Sequence, residues 1–241
     1  NGAQILFEPI QRNTAPALTL AALEATRDGR DPILLVMPSD HKIDGEDFEN
    51  AIAEAVAHAG SGKIVALAVP PAGPRSDFGY LRLGNSVGGS QARAVEGFIE
   101  KPHMETAEAL INKGDVAWNA GIFVLRASRW LEDIERREPA IVKTCRKAFK
   151  QRSADMDFIR VGTDTLTECP SISIDYAVME RTELLVAVPF DAGWSDLGTF
   201  NALAEALPKD TNDNAIVGAD LPKDHHLNHL PAQRRLLAGS R

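Results

Sequence analysis

A run of five apolar residues at positions 33–37 leads directly into Pro38, Ser39 and Asp40. A continuous apolar run of this length is typical of a strand that is covered on both faces of a sheet. Pro38 has no N–H to donate to a neighbouring strand, so we expect the strand to end there. Asp40 would then stand at the carboxyl end of a buried strand, where open α/β sheets bind ligands and where a carboxylate suits a divalent cation. A turn or helix-capping role is the alternative for this aspartate.

Strand-like and helix-like segments alternate along the chain, which predicts an α/β fold with a doubly wound, Rossmann-like mixed sheet flanked by helices. We expect that sheet to be largely parallel, with an inserted antiparallel hairpin around the turn-rich residues 84–89. Apolar strand segments lie at 5–7, 33–37, 63–69, 75–83, 92–99, 121–125 and 184–188. Segments with helical spacing and helix-ending residues lie at 14–27, 46–59, 104–113, 128–137, 139–150 and 173–181.

Composition limits the partners that such a chain can have. Its 241 residues suffice for one large domain or two small ones, and its net charge of −8 excludes a general electrostatic attraction to nucleic acid or anionic membrane. The two cysteines, Cys145 and Cys169, have neither metal-ligand spacing nor a disulfide-rich context. No apolar run is long enough to span a bilayer, so a cytoplasmic location is expected.

The first polar cluster surrounds Glu8 and the start of the helix predicted at Thr14. A carboxylate at a strand end can accept two hydrogen bonds from a ligand edge such as guanine N1–H and N2–H2, and the helix start offers N–H groups to an anion. A capped helix with a solvated Arg12 is the alternative interpretation.

Two further clusters follow predicted strands. Glu100 could hold a pair of sugar hydroxyls while Lys101, restricted to an extended conformation by Pro102, supplies a point charge for a phosphate. An ordinary surface ion pair is the alternative. Before the strand at 122–124, Asn119 offers a donor and an acceptor to a hydroxyl and Trp118 an apolar wall, although a turn asparagine would give the same pattern.

The fourth cluster contains Asp196, which follows the strand at 184–188. This residue could be the second carboxylate on the metal that Asp40 begins to hold, or it could cap a helix.

Taken in this order, these motifs resemble the sugar-nucleotide pyrophosphorylases and, within them, the mannose-1-phosphate guanylyltransferases. The resemblance extends from about residue 5 to residue 217. The segments that carry it are Glu8-Pro9 with residues 12–17, then residues 38–41, 78–80, 98–102, 118–123, 173–180 and 194–199.

The resemblance implies that GTP and mannose 1-phosphate give GDP-mannose and diphosphate, by in-line attack of the sugar phosphate on the α-phosphorus with Mg²⁺ as the metal. It also implies that the complete protein could form a homodimer. Roles for individual residues of this chain follow from the same resemblance. The metal would be held by Asp40 and Asp196; the sugar phosphate by Lys101; the mannose hydroxyls by Glu100, Asn119 and the backbone of Gly79 and Tyr80; the guanine and ribose by Glu8, Arg12, Asn13 and Thr14; and Asp175 would support the pocket.

The chain departs from that family pattern at both ends. The family opens with a strand and a glycine-rich phosphate loop that have no counterpart here, so we expect residues 1–218 to form an incomplete catalytic domain with severely reduced turnover. Residues 219–241 are predicted to form an irregular tail, and its histidines His225, His226 and His229 lack partners at ligand spacing. Two other functions stay open: a related hexose-1-phosphate nucleotidyltransferase, against which Glu8 argues because a pyrimidine would favour an amide there, and an inactive sugar-nucleotide-binding fragment.

Overall fold

A computed structural model describes residues 4–43, 45, 47–191, 193–198, 203, 207, 209, 215–217 and 229–231. The chain divides into two compact units, which are described separately. The larger unit comprises Asn1–Met37 and Glu49–Phe190, and the smaller comprises Pro38–Phe48 and Asp191–Arg241.

The described residues form short strands and helices that alternate along the chain, as the sequence predicts. The strands are β1 (Ile5–Phe7), β2 (Ile33–Val36), β3 (His41–Lys42), β4 (Ile64–Val69), β5 (Tyr80–Ser86), β6 (Arg93–Ile99), β7 (Val116–Arg126), β8 (Ser153–Asp155), β9 (Phe158–Arg160), β10 (Leu185–Pro189), β11 (Ser195–Asp196), β12 (Ala215–Val217) and β13 (His229–Pro231). The helices are α1 (Thr14–Ala25), α2 (Asp47–Gly60), α3 (Met104–Lys113), α4 (Ala127–Arg137), α5 (Pro139–Lys150) and α6 (Thr163–Thr167), with a π-helical turn at Asp175–Met179.

The larger unit is built on a mixed six-stranded sheet in the order β2-β7-β4-β10-β6-β5, which confirms the mixed α/β class. The expectation of a largely parallel sheet is wrong, because β4 and β10 form its one parallel pair among the described strands. The long strand β7 runs antiparallel to both β2 and β4 and also pairs with β5. The predicted β5–β6 hairpin is confirmed as an antiparallel pair.

Burial follows the position of each strand in that sheet. All six residues of the central strand β4 are buried. By contrast, β2 lies at the edge of the described sheet and pairs only with β7, so Leu35 is 44% exposed. The prediction that this strand is covered on both faces is therefore wrong for the structure described here.

Helices α1, α4 and α5 pack together beside the sheet and bury much of the apolar core. Trp130 of α4 is fully buried, and its indole Nε1 donates to the hydroxyl of Thr19 in α1 at 3.1 Å. That hydroxyl in turn donates to the carbonyl of Ala15 at 2.8 Å. The core thus contains one polar chain whose donors are satisfied, as burial in an apolar interior requires.

Helix ends agree closely with the sequence for α1, α3, α4 and α5. Asn13 caps α1 by accepting a hydrogen bond from the backbone N–H of Thr14 at 2.8 Å. The sequence prediction missed the short strands β3, β8, β9, β11, β12 and β13 and the helix α6, and the helix predicted at 173–181 is a π-helical turn. Strands β8 and β9 form a small separate sheet in which β1 pairs in parallel with β9.

The smaller unit contains two short strand pairs, β3 with β11 and β12 with β13. Of the segment 219–241, which the sequence predicts to be irregular, residues 229–231 form β13 and the others lie outside the described residues. Within the described part of the chain, no helix is both long and apolar enough to cross a membrane.

Candidate active site

Asn119 is the centre of a polar cluster on the larger unit. Its amide Nδ2 donates to Asp175 Oδ1 at 3.2 Å, and its Oδ1 accepts from the backbone N–H of Gly121 at 3.1 Å. Its own backbone N–H donates to the carbonyl of Gly79 at 2.8 Å. These bonds hold the start of β5, the middle of β7 and the π-helical turn together around one amide side chain.

An irregularity in β7 puts that amide in place. The sequence predicts Trp118 and Asn119 before a strand, but the structure has them inside β7. The pairing of β4 with β7 shifts register there: Ala66 pairs with Phe123, whereas Ala68, two residues on, pairs with Asn119. The extra residues of β7 form a bulge in which Gly121 has a φ of +68°, a value that glycine adopts easily. Bulges of this kind redirect side chains next to functional sites.

Glu100 approaches the same cluster from the end of β6. A Cβ atom added at Gly79 would lie 2.5 Å from Glu100 Oε2, so the absence of a side chain at this position makes room for the carboxylate. The other carboxylate oxygen, Oε1, is 3.4 Å from Lys101 Nζ. The backbone N–H of Glu100 donates to Oε1 of Glu180 at 3.1 Å. Sequence reasoning did not assign Glu180 to the site.

Lys101 has a φ of +46°, so the prediction of an extended conformation before Pro102 is wrong. The chain must reverse within the few residues between the end of β6 at Ile99 and the start of α3 at Met104, and Lys101 lies in that turn. A left-handed non-glycine residue is energetically unfavourable, and such residues occur frequently at functional sites. The side chain of Lys101 is 60% exposed, which leaves its ammonium group accessible to a ligand.

Burial raises the pKa of two acidic groups in this cluster. Desolvation raises the pKa of Glu100, and the neighbouring charge of Asp175 raises it further, while Lys101 opposes the shift. Desolvation likewise raises the pKa of Asp175, while Lys101 and the hydrogen bond from Asn119 act in the opposite direction. Two carboxyl groups in this environment can accept hydrogen bonds from sugar hydroxyls, with the ammonium of Lys101 close to one of them.

Aromatic residues line the neighbouring surface. The rings of Phe78 and Trp118 meet edge to face with centroids 5.0 Å apart. Trp118 is buried, and its Nε1–H has no hydrogen-bond partner among the described residues. The hydroxyl of Tyr80 is already engaged with the backbone of Arg75, so any contact of Tyr80 with a sugar would have to come from its backbone.

The predicted base-recognition segment lies beside the π-helical turn. Thr14 Oγ1 accepts from the backbone N–H of Ile174 at 2.9 Å, which links α1 to the residue before Asp175. Arg12 donates to the backbone carbonyls of Leu166 and Thr167 at the end of α6, so in this structure its guanidinium is tied to the protein and not simply solvated.

Glu8 carries an unused acceptor. Its Oε1 is buried and has no hydrogen-bond partner among the described residues. Desolvation raises the pKa of this carboxyl group. A buried oxygen without a partner is uncommon and costly, and a ligand that donates hydrogen bonds would satisfy it.

Two cysteines that are far apart in the sequence, Cys145 and Cys169, lie side by side near Glu8. A hydrogen bond between the thiols raises the pKa of Cys145 and lowers that of Cys169, and the charge of Glu8 acts on both groups. Both residues are buried. No spacing rule predicts this contact, because α5 and the residues after α6 bring the two thiols together only through the tertiary fold.

The candidate metal ligands belong to the smaller unit. Asp40 directly precedes β3, and Asp196 lies in β11, where it pairs with His41. The backbone N–H of Leu197 donates to the carbonyl of Asp40 at 3.1 Å. Desolvation lowers the pKa of His41, and the charges of Asp196 and Asp40 both oppose that shift. Trp194 Nε1 donates to His41 Nδ1 at 3.2 Å and so fixes the ring.

The carboxylates of Asp40 and Asp196 fit a hard divalent cation whose remaining coordination positions are filled by water and substrate. Asp196 Oδ1 accepts from the backbone N–H of Gly198 at 2.7 Å, which orients the carboxylate. Within the described ranges, no group of three or more His, Cys, Asp or Glu side chains forms a closed metal site. Two aspartates agree with Mg²⁺, which is commonly bound by one or two carboxylates together with water and substrate phosphates.

In the larger unit, acidic, amide and basic side chains gather just after β6 and at the bulge in β7, and an α/β unit of this kind is a ligand-binding fold. The family model described as nucleotidyl transferase matches residues 2–213. The chain therefore belongs to the nucleotidyl transferase family.

Similarity to individual proteins agrees with this family and confirms the resemblance seen in the motifs. The chain is 47% identical over 215 residues to the xanthan biosynthesis protein XanB of Xanthomonas campestris pv. campestris (strain B100), covering 89% of this chain and 45% of that protein. It is 45% identical over 207 residues to the mannose-1-phosphate guanylyltransferase ManC of Salmonella typhimurium, covering 83% of this chain and 43% of ManC. The chain thus spans less than half the length of these relatives.

A solved structure supports the fold. The protein from Thermus thermophilus described as a mannose-1-phosphate geranyltransferase superposes with a TM-score of 0.75 at 32% identity, covering 88% of this chain and 60% of that one.

Proposed function

We propose that this chain carries the nucleotidyl-transfer site of a mannose-1-phosphate guanylyltransferase, which forms GDP-mannose and diphosphate from GTP and mannose 1-phosphate. The observation that carries this proposal is the similarity to ManC, whose name states that activity. The polar cluster of the larger unit supports it, because acidic and amide groups beside an exposed ammonium suit a sugar phosphate.

On this proposal, Glu100 and Asn119 bind mannose hydroxyls while Lys101 binds the phosphate of the sugar. Asn119 is held by Asp175 and Gly121, so it needs little reorganisation when the sugar binds. Gly79 leaves the space that Glu100 occupies. Asp175 is proposed to support the pocket by accepting the hydrogen bond from Asn119.

Glu8 is proposed to select the base. Its buried, unpartnered Oε1 offers an acceptor to the N1–H and N2–H2 donors of guanine, whereas uracil and thymine present an acceptor and a single N–H on the corresponding edge. Thr14 and Asn13 at the start of α1, with Arg12 anchored on α6, form the rest of the segment proposed to face guanine and ribose.

Asp40 and Asp196 are proposed to hold Mg²⁺. The bound ion would neutralise charge on the phosphates as the sugar phosphate oxygen attacks the α-phosphorus. The chain's own contribution on this proposal is to position the two aspartates across the β3–β11 pair, with His41 and Trp194 fixing the same short strands. The buried free thiols agree with a reducing, cytoplasmic setting.

The test is GDP-mannose formation from GTP, mannose 1-phosphate and Mg²⁺, with UTP and dTTP as competing nucleotides. We expect turnover to be selective for GTP and to fall by about 100-fold or more in Asp196→Ala, since metal-bound charge stabilisation supplies several kcal/mol. Asp191→Ala is the matched control, because it removes an exposed aspartate of the same unit. Turnover that prefers UTP, or that survives Asp196→Ala, would contradict the proposal, as would the absence of both turnover and GDP-mannose binding.

A further inference from the structure

A cavity of about 410 Å³ in the larger unit is lined by four arginines and has no part in the proposed reaction. Its walls are Arg129, Arg136 and Arg137 of α4 and the segment before β10, which contributes Arg181, Glu183 and Leu184. Arg136 and Arg137 follow Arg129 by seven and eight residues, which is about two turns of a helix. The three residues therefore lie toward one side of α4. A cluster of this kind is unexpected in a chain with a net charge of −8.

Two of these arginines carry buried donors without an acceptor. Nε of Arg129 and Nε of Arg137 are both inaccessible to solvent and have no hydrogen-bond partner among the described residues. An unsatisfied buried donor is destabilising, and it is doubly unusual to find two in the wall of one cavity.

The existing ion pairs leave much of the arginine donor capacity unused. Arg129 Nη1 lies 2.8 Å from Glu132 Oε2, Arg181 Nη2 lies 2.6 Å from Glu138 Oε1, and Arg136 pairs with Asp133. Arg181 also donates to the carbonyl of Ala177. Each guanidinium has five N–H donors, and one ion pair engages only one or two of them.

Arg137 differs from the other three, because it forms no ion pair within the part of the chain that the structure describes. The arrangement of the wall is also fixed: Asp133 is buried and its Oδ2 accepts from Thr182 Oγ1 at 2.8 Å, which ties α4 to the segment that contributes Arg181. The two backbone segments that carry the arginines are therefore held together before any ligand arrives, which lowers the cost of binding.

We propose that this cavity is a second anion site, distinct from the polar cluster around Asn119, and that it binds the diphosphate group of a small phosphorylated molecule. Planar guanidinium groups match phosphate oxygens with pairs of parallel hydrogen bonds, and diphosphate offers enough acceptors to engage several of them at once. The cavity has room for more than diphosphate alone, so free diphosphate and a nucleoside diphosphate are the two sources to distinguish. Among the described residues of the wall, Glu183 is the one acidic side chain, and it weakens binding by repulsion.

The experiment maps arginine modification by phenylglyoxal, read peptide by peptide by mass spectrometry, with and without millimolar inorganic diphosphate. We expect diphosphate to slow modification of Arg129 and Arg137 while Arg146, an exposed arginine of α5 that pairs with Glu135 of α4, is modified at an unchanged rate. Two further measurements use UDP and uridine in place of diphosphate. Stronger protection by UDP than by diphosphate identifies a nucleotide ligand, whereas equal protection identifies free diphosphate. Uridine, which has no phosphate, should not protect.

Variants give an independent readout in a titration with diphosphate. Arg137→Gln should weaken the affinity of this site by about tenfold, and Glu183→Gln should strengthen it, whereas Arg146→Gln should leave it unchanged. Equal modification rates of Arg137 with and without diphosphate would overturn the proposal, and so would equal affinities in Arg137→Gln and Arg146→Gln. The modification rates of Arg129 and Arg137 report on α4 alone, so loss of guanylyltransferase activity would not affect them.

Discussion

At the scale of single residues, Gly79 is a position in the candidate sugar site that has no room for a side chain. In Gly79→Ala the new methyl group would meet Glu100 Oε2 at 2.5 Å and Asn119 Cβ at 3.4 Å, so the carboxylate must move. We expect mannose 1-phosphate to bind about tenfold more weakly, which corresponds to ~1.4 kcal/mol. Gly73→Ala is the control, since no atom lies within 4 Å of a Cβ at that position. Equal affinities in the two variants would show that Glu100 does not contact the sugar.

The ionisation of Asp175 affects the free energy of unfolding. Burial raises the pKa of this carboxyl group above its ordinary value of 3.8, so the folded protein retains a proton that the unfolded chain releases. The free energy of unfolding should therefore fall as the pH rises above that value, and Asp175→Asn should remove this loss.

We expect Asp175→Asn to raise Tm at neutral pH by about 2–4 °C, equivalent to ~1 kcal/mol for a domain of this size. The gain should vanish in acid below the ordinary aspartate pKa, where both states carry the proton. Calorimetry across this pH range checks the prediction, with Asp157→Asn as the control at an exposed position. A gain in Tm that does not change with pH would show that the charge of Asp175 is not its cause.

Among single residues, the sequence identified candidate site residues that lie in short motifs, but it missed contacts that form only between distant parts of the chain. Asn119 and Asp175 were identified separately, and the structure joins them through one hydrogen bond. Glu180 was missed because its contact with the backbone of Glu100 spans 80 positions. The positive φ of Lys101 could not be predicted either, since the local preference before proline points to the extended region.

At the scale of elements, the packing of α1 on α4 depends on the hydrogen bond from Trp130 to Thr19. Thr19→Val preserves the shape of the side chain but leaves the buried indole N–H without an acceptor, which costs ~1–3 kcal/mol. Chemical denaturation measures the loss, and Thr19→Ser serves as the control because it keeps the hydroxyl. If the valine and serine variants were equally stable, the hydrogen bond would contribute nothing.

Element type was easier to predict than element direction. Helical spacing and end signals place α3 and α5 correctly, because those signals are local. Strand direction is not local: the chain between β4 and β7 passes through a hairpin and α3, and β7 returns antiparallel beside β4. The π-helical turn and the bulge in β7 are likewise set by tertiary contacts around Asn119.

At the scale of the whole molecule, the predicted functional groups fall in two compact units. The larger holds the sugar-phosphate and base-recognition candidates, and the smaller holds Asp40 and Asp196. The chain covers 45% of XanB and 43% of ManC, so it spans less than half the length of these relatives. Family membership, by contrast, is established by the match over residues 2–213.

The most direct test of this account is a calorimetric titration of the protein with GDP-mannose and with UDP-glucose in the presence of Mg²⁺. We expect GDP-mannose to bind at least about tenfold more tightly, and Glu8→Gln to abolish most of that preference while Glu105→Gln, on the exposed surface of α3, retains it. Equal affinity for the two sugar nucleotides, or a preference that survives Glu8→Gln, would contradict the assignment of guanine recognition to this chain.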